Sequence, residues 1–474
     1  MLFNSIEFLL IFLPLCLAGF YWFNSRNSQQ AGVAFLAAAS LVFFAYWDGR
    51  YLLLLGGSMV WNWVVAQRLM KQPSRKLLAI GVGGDLCALA YFKYANFFVE
   101  TTEKLSGLDL HWTQVVLPVG ISFFTFTQIA FLVDANRGEV KERGGLNYIL
   151  FVTFFPHLIA GPILHHKEMM PQFADIHRKR PDGRMVGLGL FLLITGLFKK
   201  IVIADNIAKY VDPVFANVAS MEILDAWTAA VGYTLQLYFD FSAYSEMAMG
   251  IALLFGIKLP KNFSSPYRAK DISDFWKRWH MTLSRFLRDY VYIPMGGSRN
   301  GFGRTMLTLW LTMLIGGFWH GAGWTFVVWG AMHGTMLVIH RGWKSAGMRM
   351  PGWAGQGLTV FCVGMAWVVF RAQSIQDAVL LWRTMFGLEG VVLPAAFRGF
   401  ETAGVKVVLS PVITGIEILF LVVLLAFCMT QKNVHEVWES MTLPKRRHVV
   451  ALTSMAAAAM FYVNATSSFV YFNF

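Results

Sequence analysis

Charge is scarce in this 474-residue chain: 14% of its residues are Asp, Glu, Lys or Arg, well below the roughly 25% of a soluble domain. The length would otherwise suggest about three soluble domains, and the shortage of charge excludes that organisation. Cysteine is scarce too. Cys16, Cys87, Cys362 and Cys428 each lie inside an apolar run, without metal-ligand spacing or a disulfide framework, and they read as buried apolar residues. Nothing matches a phosphate-cradling glycine loop, a Ser-His-Asp signature or an HExxH motif, so those chemistries drop out. Neither a bound metal nor a resident cofactor is expected.

What the chain has in excess is apolar length. Hydrophobic residues make up 56% of it. A bilayer core is about 30 Å thick and takes about 20 apolar residues to cross as a helix. Runs near that length recur at 8–23, 31–47, 51–66, 77–98, 115–133, 186–203, 226–257, 306–318, 324–339, 358–370, 411–428 and 449–470. The chain therefore reads as an all-α, polytopic integral membrane protein of about eleven to thirteen membrane segments. The first run has no basic stretch before it and no small-residue cleavage site after it, so it reads as an anchor.

The net charge of +13 sits in the connections, as positive cytoplasmic loops would have it, which argues against nucleic acid. Arg68, Lys71, Arg75 and Lys76 fill one connection without an acid, and Lys432, Lys445, Arg446 and Arg447 mark another. The largest basic block, 258–304, has ten Lys/Arg against Asp271, Asp274 and Asp289, while 99–114 is close to neutral. This pattern puts the N-terminus outside and the basic loops in the cytoplasm. The stretch 148–164 breaks the alternation, because both flanks are basic, the second through Lys167, Arg178, Lys179, Arg180 and Arg184. It also holds Pro156, His157, Gly161 and Pro162, which suit a re-entrant segment better than a continuous helix. Irregular backbone at membrane depth is tolerated only inside protein or along a cavity. An internal chamber is expected.

Two histidines stand out on the cytoplasmic side. In 271–290, Ile272, Phe275, Trp276, Trp279, Leu283, Phe286, Leu287 and Tyr290 recur at helical spacing, opposite Lys277, Arg278, Arg285, Arg288 and Asp289. This predicts one amphipathic helix capped by Asp271, with His280 in its middle. Binding of anionic lipid headgroups by an interfacial helix is the competing reading. His320 lies in GGFWHGAGW, a glycine-rich break between two apolar segments. An ionisable residue at membrane depth is expensive and so is a functional candidate, and an imidazole with a pKa of about 6.5 exchanges a proton near neutrality. A structural histidine bonded to a nearby carbonyl is the alternative. His157, His333 and His340 share apolar surroundings, and Asp85, Lys93, Lys199, Lys200, Asp205, Asp240 and Glu246 are further polar groups at depth. For Asp240 a pairing with Lys199 or Lys200 is preferred.

Six blocks, in order, carry a resemblance that covers nearly the whole chain: LPVGISFFTFTQIAFLVD (117–134), FFPHLIAGPI (154–163), LFKKIVIADN (197–206), YFDFSAYSEMAMG (238–250), FWKRWHMTLSRFLRDYVYIPMGG (275–297) and GFWHGAGWTFVVWGAMHG (317–334). The sequence resembles the membrane-bound O-acyltransferase family, and within it the branch that acetylates alginate. The resemblance implies one domain over 1–474, with helices around a central funnel that leads from the cytoplasm to a catalytic chamber. It puts the family's invariant histidine on His320 and the bacterial branch's second histidine on His280, as catalytic residues. Ala243 and Glu246, where relatives often carry Gly and Asp, depart from the pattern without touching either histidine.

The implied reaction moves an acetyl group from acetyl-CoA or another cytoplasmic acyl thioester across the bacterial inner membrane, to periplasmic acetyltransferase partners that esterify an exopolysaccharide. Lys277, Arg278, Trp279 and Ser284 are candidate donor-binding residues at the basic mouth. Region 386–408 and the thirteen C-terminal residues are candidate partner contacts. Acetylated cellulose and D-alanylated teichoic acid are alternative products. A transporter using the same buried polar groups is the alternative from another class, and the internal repeats it would require are absent.

Overall fold

The computed structural model describes residues 1–26, 30–141, 144–176, 180–393, 405–407, 415–440, 445–463 and 469. Arg178, Lys179, residues 394–404 and 408 of the 386–408 region, and most of the last thirteen residues lie outside the described part. Helices dominate, as the apolar runs require, because a helix bonds its backbone polar groups within its own segment. In order they are α1 (Glu7–Ser25), α2 (Ala31–Ala45), α3 (Tyr51–Lys71), α4 (Arg75–Ser106), α5 (Ile121–Asn136), α6 (Gly145–Thr153), α7 (His166–Ala174), α8 (Gly183–Ala216) and α9 (Ile223–Leu254). There follow α10 (Ile272–Trp276), α11 (Met281–Leu287), α12 (Phe302–His320), α13 (Trp324–Ser345), α14 (Gly352–Arg371), α15 (Ile375–Met385), α16 (Gly415–Thr430), α17 (Val434–Ser440) and α18 (Arg446–Tyr462). Among the described residues the only strands are a parallel pair of three-residue segments, Val391–Leu393 and Val405–Val407.

Several helices start where side chains cap them. Ser74 accepts from Leu77 N at 3.3 Å, Asp182 from Met185 N at 2.8 Å and Ser374 from Asp377 N at 3.0 Å. Among the described residues α1, α4, α8 and α14 are long and apolar enough to cross a bilayer, and α16 with α17, bent by 50°, makes a fifth candidate. The larger number expected from hydropathy also counts shorter helices, such as the 15-residue α2 and the 16-residue α5, and α9, which carries buried Asp240 and Glu246.

The chain forms two compact units, with α8 and α9 each giving one part to each. The first comprises Met1–Phe198, Ala243–Asn262 and Pro444–Phe474. In it α3 and α4 pack on α5, α2 on α6, and the start of α8 on α18. Phe8, Phe43 and Phe155 form one aromatic core, and α5 is buried on almost every side. The irregular segment expected at 148–164 is present. Helix α6 stops at Thr153, a four-residue turn follows at Phe155–Leu158, and residues 150–164 are buried throughout. Of the four cysteines expected to be buried, only Cys16 is fully so; Cys362 and Cys428 are half-buried, and Cys87 is exposed on α4.

Two helices of this unit meet at glycine. A Cβ on Gly250 of α9 would stand 2.6 Å from Gly189 O and 2.8 Å from Leu193 N of α8, so the backbones touch. Small residues allow such close approach between helices in a membrane. Gly250→Val should lower the thermal midpoint of the detergent-extracted protein, at a cost of roughly 1–3 kcal/mol for overpacking. Gly57→Val, on a helix with open space at that position, is the control, and equal midpoints for the two variants would exclude the tight contact.

Candidate active site

The second unit, Lys199–Ser242 with Phe263–Leu443, contains both candidate histidines. His320 is the last residue of α12, and three residues later α13 returns along it. The hairpin is held by glycine. A Cβ on Gly317 would stand 2.4 Å from Phe326 O and 2.7 Å from Gly330 Cα, so only glycine permits this approach. Aromatic rings then wall His320, which is 6% exposed. Trp329 meets it edge-on at 5.0 Å between ring centroids, and Phe370 of α14 at 5.5 Å.

The amphipathic stretch around His280 is not one helix. Asp271 does cap α10, accepting from Asp274 N at 2.7 Å, and Phe275, Trp276, Trp279, Leu283, Phe286 and Leu287 are buried as their spacing predicts. The helix ends at Trp276, however, and restarts at Met281. Between them His280 adopts φ +43°, ψ +53°, a left-handed conformation that costs a non-glycine residue about 1–3 kcal/mol. Periodicity could not reveal this break, because both short helices keep the same buried face. The break turns the His280 ring inward, fully buried, 4.8 Å from Phe241 and 6.3 Å from the His320 ring. Burial pushes the His280 imidazole down to about 3, so it is neutral at physiological pH.

A third histidine joins the group. His333, fully buried on α13, has its ring 4.7 Å from Trp329, and its Nδ1 accepts from Trp276 Nε1–H at 3.3 Å. Trp329 therefore touches both His320 and His333. Sequence reasoning set His333 aside as a residue of the following apolar helix. Its position four residues after Trp329 and three after Gly330, on one face of a helix, was the available signal.

The donor-binding candidates divide. Lys277 and Ser284 line a cavity of about 940 Å³, together with Arg285, Arg288, Arg341 and Lys344. Arg278 and Trp279 do not line it. The Arg278 guanidinium is held by Asp274 at 2.8 Å, and Trp279 is buried against Phe275 and Trp367. The cavity is strongly basic. Trp276 belongs to its wall and also bonds His333, so one indole borders both the cavity and the aromatic cluster.

Most of the remaining buried polar groups have partners inside their own unit. Lys200 lies between Asp240 and Asp205, at 2.8 Å from each, so of the two lysines considered Lys200 makes the contact. Lys200 and Asp205 are five residues apart, the wrong spacing for neighbours on an α-helix, but a π-helical stretch, Phe198–Ala204, brings them to one side. Asp240 immediately precedes Phe241, the residue packed on His280. In the other unit Asp85 accepts from Asn62 at 2.7 Å, Lys93 bonds Ser122 at 3.2 Å and His157 Nε2 lies 2.9 Å from Phe151 O. His340 lines the basic cavity, 3.5 Å from Asp271.

A buried histidine pair beside a basic cavity, in an apolar helical protein, suits transfer of an acyl group. The sequence model of the membrane-bound O-acyltransferase family matches residues 75–375, and this chain belongs to that family. It is an enzyme, an O-acyltransferase, which removes the transporter reading. The peptidoglycan O-acetyltransferase of Helicobacter pylori is 37% identical over 516 aligned positions, covering 100% of this chain and 98% of the relative. The probable alginate O-acetylase AlgI of Pseudomonas aeruginosa is 40% identical over 397, covering 81% and 75%. The teichoic acid D-alanyltransferase of Bacillus subtilis is 29% identical over 230, covering 47% and 58%.

The backbone at His280 gives a test separate from chemistry. Asn tolerates the left-handed region and β-branched residues do not, so His280→Asn should yield folded, monodisperse protein and His280→Ile should not. His280 stays neutral when folded, whereas in the unfolded chain it protonates below pH about 6.5. Stability is therefore lost as pH falls from 6.5 toward 3, and His280→Asn should lose less of it. Identical acid slopes in thermal melts of the two proteins would contradict the buried neutral ring.

Proposed function

We propose that this protein takes an acetyl group from a cytoplasmic acyl thioester and passes it outward, across the bacterial inner membrane, for O-acetylation of an envelope glycan. The approach of His280 and His320, with ring centroids 6.3 Å apart inside an aromatic wall, is the observation that carries the reading. His320 is the general base. It removes the proton of an acceptor hydroxyl as that oxygen attacks the thioester carbonyl. The carbon–sulfur bond then breaks, and the leaving thiolate takes the proton back from His320. His280, neutral and fixed by its backbone, positions the reacting groups. The family match runs through both compact units, which supports treating the whole chain as one acyltransferase domain.

The donor is acetyl-CoA or another acyl thioester, and the basic cavity is where its phosphates dock. Arg341, Lys344 and Lys277 are exposed where they line it, and Ser284 is a half-buried candidate. Periplasmic acetyltransferases are the partners that receive the group. Alginate is the product favoured by the AlgI relatives, at 40% identity over most of the chain. Peptidoglycan is a second reading, favoured by a relative that aligns from end to end.

His320→Gln keeps hydrogen bonding and loses basicity, so it should cut glycan acetylation by about 10²–10⁴-fold with expression and membrane insertion intact. Substantial acetylation by that variant would return His320 to a structural role. Measuring ester acetate on both polymers from the same cells decides between alginate and peptidoglycan, since only the true product loses it. Reversing charge at the cavity rim, Arg341→Glu with Lys344→Glu, should raise the apparent KM for acetyl-CoA at least about tenfold, the equivalent of 1.4 kcal/mol. An unchanged KM would place the donor elsewhere.

A further inference from the structure

Two buried N–H donors, one on a ring that touches His320 and one on the next ring along, have no acceptor in the protein. Trp329 is 1% exposed, and its indole Nε1 has no hydrogen-bond partner. His333 is fully buried, and because its Nδ1 accepts from Trp276 its own proton lies on Nε2, which is also without a partner. The Trp329 ring is 5.0 Å from His320 and 4.7 Å from His333, so both donors belong to the histidine cluster. A buried donor with no acceptor costs about 1–3 kcal/mol, and here the cost falls on two adjoining rings. Packing alone does not call for the polar atoms, since an apolar ring system of the same shape would fill the space without an unpaired N–H. Both groups sit on one face of α13, whose close contact at Gly330 fixes them relative to His320.

Acyl transfer creates the acceptor that these groups lack. When the hydroxyl oxygen attacks, the carbonyl π electrons move to the acyl oxygen, which becomes an oxyanion. When the carbon–sulfur bond breaks they return, and the thiolate leaves with the proton carried by His320. Donors aimed at that oxygen in a dry site stabilise the charge without having to reorganise. We infer that Trp329 Nε1–H and His333 Nε2–H form the oxyanion site of this enzyme. The inference rests on the reading of His320 as the base and adds two catalytic residues to it.

The test deletes the donors and little else. Benzothienylalanine introduced at 329 keeps the indole shape and replaces the N–H by sulfur, while 7-azatryptophan at 329 keeps the N–H. His333→Asn keeps an acceptor facing Trp276 and removes the Nε2 donor. Activity is read in whole cells as the initial rate of labelled acetate incorporation into envelope glycan, which does not depend on the identity of the thioester. Benzothienylalanine and His333→Asn should each slow incorporation by roughly 10²–10³-fold, the usual cost of one oxyanion donor. Azatryptophan should slow incorporation far less than benzothienylalanine, and thermal midpoints should not fall, because a buried donor without an acceptor costs stability rather than adding it. A normal rate in either deletion variant overturns the assignment of that donor. A rate loss that tracks a lowered midpoint, or that azatryptophan shares, makes the residue structural and overturns it too. His320→Gln assayed alongside separates the two levels. If it is active, the reading of the base fails; if it is inactive while both deletion variants are normal, only the oxyanion site fails.

Discussion

The contact between Gly317 and Gly330 is the constraint from which the site follows. With no side chain at either position, α12 and α13 approach backbone to backbone. That approach brings His320, at the end of α12, against Trp329 on α13. It also lets Phe370 close the wall from α14. A methyl group at either glycine would push the helices apart by more than the tolerance of a reacting geometry, where displacement of about 1 Å costs around 10²-fold. The glycines of GGFWHGAGW thus act by what they omit.

A second anchor acts from the side of His280. Lys200 is fully buried between two carboxylates, and the pair fixes the stretch of α9 that carries Asp240 and Phe241. Breaking a buried pair is costly because it leaves a charge uncompensated, so this stretch of α9 resists rotation. The Phe241 ring, held by that register, packs on His280, whose own backbone is strained. Strain of this kind survives only where neighbours enforce it.

The sequence made much of this legible. Apolar length gave the helical membrane class, the glycine break marked His320, and the face of 271–290 was read correctly as buried. The break at His280 was not legible, since a left-handed backbone at a single histidine leaves no trace in a hydrophobic period. His333 was discounted because apolar surroundings alone do not distinguish a packed histidine from one that shares a tryptophan with His320. Arg278, a donor-binding candidate from the basic block, pairs with Asp274 four residues earlier, a contact that charge counting alone does not reveal. Hydropathy alone does not separate a long spanning helix from a shorter buried one such as α5.

The π-helical stretch at Phe198–Ala204 carries a consequence for how this chain tolerates change in length. A π turn is an α-helix with one residue to spare, so losing a residue there restores ordinary winding and leaves no gap. The α-helical part that follows has no such slack, and a deletion there would turn the residues beyond it by about 100° about the axis. Ile207 and Val211 would then swing away from Gly232, against which they now pack. One codon fewer is absorbed within the π stretch; just past it, the same deletion changes what every later residue of α8 faces.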